Sequence, residues 1–136
     1  MAYMSSEMKQ KIAPEVKKIL KKYGMSGSLS VHNHSTLVLN LKSGKLDMIG
    51  NFNTMIQERD PTGNRHINQA KGDIQVNPYW YHEHFSGKCK NFLKEVLNVM
   101  NNGNHDNSDI QTDYFDIGWY VDVNVGRWNK PYEVLN

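Results

Sequence analysis

The chain has 136 residues, enough for one domain, and its 38% hydrophobic and 10% aromatic content suffices for one ordinary core. No apolar run approaches the roughly 20 residues that cross a bilayer, which excludes a helical membrane protein, and the opening MAYMSSEMKQ lacks the basic-then-apolar order of an export signal. The net charge is +2, and a lone cysteine, Cys89, excludes an internal disulfide framework and fits a reducing cytoplasm, the protein's own or a host's.

The first predicted element is a helix from about Ser6 to Tyr23. Met8, Ile12, Val16, Ile19, Leu20 and Tyr23 recur at helical spacing, while Lys17, Lys18, Lys21 and Lys22 fall on other faces. Ser5 or Ser6 suits its start and Gly24 its end. Pro14 removes one backbone donor inside the pattern, so a kink is expected there. Two strands follow, Gly27 to His32 and Thr36 to Leu41, joined by the tight turn Asn33-His34-Ser35. Leu46 to Ile49 reads as a short third strand. Residues 51–73 are polar and interrupted by Pro61-Thr62-Gly63 and Lys71-Gly72, and read as a long excursion with little regular structure.

A strand resumes at Ile74-Gln75-Val76. The second helix, about Ser86 to Asn101, is the clearest element, with Phe85, Cys89, Phe92, Leu93, Val96, Leu97 and Met100 forming one apolar stripe. Asn101-Asn102-Gly103 stops it. A strand from about Ile117 to Val125 alternates Trp119, Val121, Val123 and Val125 with Tyr120, Asp122 and Asn124, so one of its faces is buried and the other wet. The order α-β-β-(β)-β-α-β, in one domain spanning 1–136, predicts an α+β fold. Neither helix can bury its stripe alone, so both pack on one face of a mainly antiparallel sheet.

Charge is uneven along this order. Residues 1–50 hold eight lysines against Glu7, Glu15 and Asp47, leaving +5; residues 101–136 hold Arg127 and Lys130 against six acids, leaving −4. Such asymmetry steers partners, although lysines on the wet face of a surface helix are routine.

His32-Asn33-His34 and His82-Glu83-His84 are the residues closest to a metal motif. On a strand, positions i and i+2 share a face and present two imidazoles to one ion. Against this, His32 and His34 flank a turn, Cys89 belongs to an apolar stripe, and no established ligand spacing is present, so no metal or other cofactor is expected. The loop Asn104-His105-Asp106-Asn107-Ser108-Asp109, with Asp113 and Asp116, lacks the frame of a calcium loop and reads as a turn region. Motifs for a nucleophile, a phosphate loop or a dinucleotide are absent.

Pro78 to Phe85 packs four aromatics and two histidines into eight residues. Rigid rings with polar tips suit a recognition surface, so Tyr79, Trp80, Tyr81, His82 and His84 are the candidate partner-binding residues. The competing reading makes them an edge of the core, with Trp80 and Phe85 inside.

The stretch Lys11-Ile-Ala-Pro-Glu-Val-Lys-Lys-Ile-Leu-Lys-Lys-Tyr-Gly24, followed by Ser28-Leu-Ser-Val31, resembles the start of one of the large polyvalent-protein-associated domains of phages and mobile elements. The closing Asp113-Tyr-Phe-Asp-Ile-Gly-Trp-Tyr-Val-Asp-Val-Asn-Val125 is similar to the ends of such proteins. The resemblance implies a basic helix and hairpin followed by a second helix and a closing strand. It also implies travel with phage or plasmid genes that handle host defences. It carries over no catalytic residues, and the excursion at 51–73 departs from the shorter members.

The functional expectation is a phage- or mobile-element-encoded binding protein, not an enzyme, that blocks or modulates a host component such as a defence complex. The first alternative is a nucleic-acid-binding accessory protein using Lys17, Lys18, Lys21 and Lys22, with weak, salt-sensitive affinity. The second is a small metal-dependent enzyme built on the histidines and the Asp-rich loop.

Overall fold

The computed structural model describes residues 3–59, 72–102, 104, 118–127 and 129–135. Helix α1 (Ser6–Tyr23) starts where the Ser5 hydroxyl accepts the Met8 N–H at 3.2 Å. It runs through Pro14 as one element and ends at Gly24, whose φ of 68° lets its N–H reach back to Leu20 and Lys21. Strands β1 (Met25–His32) and β2 (Thr36–Gly44) form the expected antiparallel hairpin. Its turn closes with the Ser35 N–H donating to the His32 carbonyl at 3.2 Å, and both Asn33 and His34 take positive φ, as a hairpin turn of matching twist requires.

The predicted third strand at Leu46–Ile49 does not form. Asp47 instead caps a helix, α2 (Met48–Arg59), accepting the Gly50 N–H on Oδ1 at 2.9 Å. The first part of the predicted irregular excursion is therefore helical; residues 60–71 lie outside the described residues. Met48, Phe52 and Ile56 recur every fourth position, with Met48 and Ile56 buried and Phe52 packed on the core.

After β3 (Ile74–Val76) comes a single helical turn, α3 (Tyr81–His84), then α4 (Gly87–Met100), β4 (Tyr120–Val125) and the short β5 (Glu133–Val134). α4 buries Cys89, Phe92, Leu93, Val96, Leu97 and Met100, the stripe that the sequence predicts. The sheet order is β1-β2-β4-β3, with β5 beside β2. β1–β2 and β3–β4 are antiparallel, while β4 and β5 both run parallel to β2. The protein is thus α+β with a mixed, mostly antiparallel sheet.

One face of the sheet carries Leu29, Val31, Leu37, Leu39, Leu41, Val121, Val123, Val125, Ile74 and Val76 into a single core shared with α1 and α4. Tyr23 of α1 meets Phe92 of α4 edge-on at 5.4 Å. Buried polar groups on this side are paired. The Trp119 indole donates to the Met100 carbonyl at 3.0 Å, and the Tyr132 hydroxyl donates to the Leu46 carbonyl at 2.6 Å. The alternate residues point the other way, and no helix among those described is packed over them. Ser28, Ser30 and Tyr120 are exposed, and Asn40, Asp122 and Asn124 are half-buried. Among the described residues no helix is long and apolar enough to cross a membrane.

Candidate recognition surface

The segment leaving β3 is shaped by Asn77. Its side-chain oxygen accepts the N–H groups of Tyr79 at 2.9 Å and Trp80 at 3.2 Å, and its carbonyl accepts the Trp80 N–H at 3.3 Å. This local ring of bonds fixes a turn that throws two aromatic side chains outward. Tyr79 is 69% and Trp80 54% exposed. The core-edge reading of Trp80 fails here, whereas Phe85, five residues on, is fully buried and anchors the segment.

The remaining candidates divide. Tyr81 packs partly against the core and meets His82 edge-on, while His82 is exposed. His84 turns inward to Phe52 of α2, ring centroids 5.7 Å apart. Helical rather than extended backbone separates His82 from His84, so the shared direction that a strand would give them is lost. Among the described residues no group of three or more His, Cys, Asp or Glu side chains is placed to hold a metal ion. His105, Asp106, Asp109, Asp113 and Asp116 lie outside the described residues.

α2 and α4 are clamped by a reciprocal pair: the Asn51 amide donates to the Ser86 hydroxyl at 2.9 Å and accepts the Ser86 N–H at 2.8 Å. Tyr79 shares a groove of about 400 Å³ with Tyr120, which is 47% exposed at the start of β4, together with Gln75, Asn77 and Asp122. The alternation in β4 marks Tyr120 as outward-facing. Only the placement of β4 beside β3 brings it to Tyr79.

Lys17, Lys18, Lys21 and Lys22 are all exposed on α1. Lys18 pairs with Glu15 at 3.3 Å, and Lys22 pairs with Glu95 of α4 at 2.7 Å. Glu95 also accepts the Tyr23 hydroxyl. Hydrogen bonding to Lys22 and then to Tyr23 holds the Glu95 carboxyl below its usual range, while Glu95 raises Lys22. Two of the four lysines therefore already have carboxylate partners, which lowers their value as phosphate contacts.

Cys89 sits on the buried side of α4 beside Asp47. Burial first, and the Asp47 charge second, push its thiol up to about 11. A thiol held protonated is a poor nucleophile. Comparison of the chain with protein families, with curated proteins and with solved structures found no match, so its own geometry is what speaks to its function.

Proposed function

We propose that this chain is a binding protein that acts by occupying the surface of a partner protein, with Tyr79 and Trp80 at the centre of contact and Tyr120 beside them. The observation that carries this reading is the outward projection of Tyr79 and Trp80 from a hydrogen-bonded turn. Large rings held in place before binding lose little entropy on contact, and a few such side chains usually supply most of the affinity. A core defect is a poor explanation, because Phe85 and Tyr81 already fill the inward positions of the segment. The resemblance to phage- and plasmid-borne domains directs the search for a partner to host proteins, defence complexes among them.

The test compares wild type with Tyr79→Ala and Trp80→Ala in capture from host lysate, followed by affinity measurement on the purified partner. Each substitution should weaken binding by roughly 2 kcal/mol, about thirtyfold, at unchanged melting temperature. Full affinity in both folded variants would remove this segment from the interface.

A further inference from the structure

The face of the sheet that no described helix covers is chemically polarised from one end to the other. At the Tyr120 end, the groove shared with Tyr79 is lined by Gln75, Asn77 and Asp122, which include a carboxylate and no lysine or arginine. At the opposite end lies a second groove of about 540 Å³, whose walls include Ser28, Asn40, Lys42, Arg127, Lys130 and Glu133. Three cations there face one carboxylate. The ion pairs among the described residues are Lys18–Glu15 and Lys22–Glu95, so none of these three cations is neutralised by one.

The cations are placed by the backbone. Gly126, at φ 70°, turns the chain off β4 where a Cβ would strike the Gly72 carbonyl. Arg127 and Lys130 then exchange backbone hydrogen bonds of 2.8 and 3.1 Å, which holds the two residues side by side. The strip between the two ends mixes paired amides with one buried valine. Asn124 donates to Asn40 across β4 and β2 at 3.2 Å, and Val38 lies between Ser30 and Asp122 in register. From Tyr120 to Val125 the strand covers roughly 17 Å at about 3.3 Å per residue.

We propose that this face docks an extended polypeptide segment of the partner, apolar where it meets Tyr79 and Tyr120 and acidic where it meets Lys42, Arg127 and Lys130. The proposal rests on the protein-binding reading above and names the chemistry of that partner. A nucleic acid is a poorer fit, because its phosphates repeat along its whole length and would be laid against Asp122 at the aromatic end. A polypeptide can confine its acids to one end, and matching charge at one end fixes the direction in which it lies.

The test selects twelve-residue peptides from a random display library on the immobilised full chain. Their affinities are then measured for wild type, Tyr79→Ala/Tyr120→Ala and Arg127→Glu/Lys130→Glu. The expected peptides pair an acidic cluster with Leu, Phe or Trp about five residues away. The charge-reversed protein should bind them at least tenfold more weakly. It should bind their lysine-substituted analogues more tightly than wild type does, a gain that a misfolded variant would not show. Peptides sensitive to the aromatic pair but indifferent to Arg127 and Lys130 would overturn this proposal and leave the protein-binding reading standing. Peptides indifferent to both pairs, or no selected peptides, would overturn both. Tighter binding of a twelve-nucleotide oligothymidylate at Lys42, Arg127 and Lys130 would make nucleic acid the occupant and overturn the proposal as well.

Discussion

His34 carries a side chain in a conformation that favours glycine, at φ 55°, and follows Asn33 at φ 52°. Left-handed backbone costs an L-residue roughly 1–2 kcal/mol, and glycine gives back part of that through its freer unfolded chain. His34→Gly should therefore raise stability by about 0.5–1 kcal/mol in urea unfolding. A fall would mean that the imidazole itself is needed. At Cys89, the folded thiol is pushed up to about 11 from its ordinary 9.0. A group whose folded value is raised contributes stability that is complete below the unfolded value and is lost as pH climbs toward the folded one. Burial moves the Tyr132 phenol in the same direction. Stability should accordingly decline between about pH 9 and 11, and less steeply in Cys89→Ala. Urea midpoints at pH 7, 9 and 10.5 measure this, and identical slopes in the two proteins would exclude Cys89 as a source.

Helix α2 depends on its neighbours. Gly50, Asn51, Asn53 and Thr54 are weak helix formers, so the element is held by the Asp47 cap, the buried Met48 and Ile56, and the Asn51–Ser86 clamp. Asn51→Ala should cost about 1–2 kcal/mol and speed hydrogen exchange in α2 more than in α1; uniform exchange would show that the clamp is idle. The same weakness explains why α2 was hard to read from sequence. Its fourfold spacing of Met48, Phe52 and Ile56 is diluted by amides and glycine, and Leu46 to Ile49 mimics a strand. α1, the hairpin, α4 and β4 were legible because each repeats its apolar residues at one clear period. At the candidate surface, the aromatic density of Pro78 to Phe85 was legible. Which rings face outward was not, because the same side chains serve cores and interfaces equally. The meeting of Tyr79 with Tyr120 depends on strand neighbours more than 40 positions apart in sequence, which no local pattern encodes.

In the whole molecule, β4 is the keystone of the sheet. It lies between β2 and β3, and Val121, Val123 and Val125 close the core under both long helices. A chain ending at residue 118 leaves β2 and β3 without their shared neighbour. It should show no cooperative unfolding transition and no near-ultraviolet circular dichroism; a sharp transition in the truncated protein would place the keystone elsewhere. The central strand pairing also joins residues far apart in sequence, with Asn40 bonded to Asn124, 84 positions away. Closing so large a loop before any contact rewards it makes folding slow. Until residues 120–125 are in place, β2 and β3 lack the strand that joins them. The surface formed by Tyr79, Tyr120 and Arg127 therefore comes into being in one late step, after the local elements have formed.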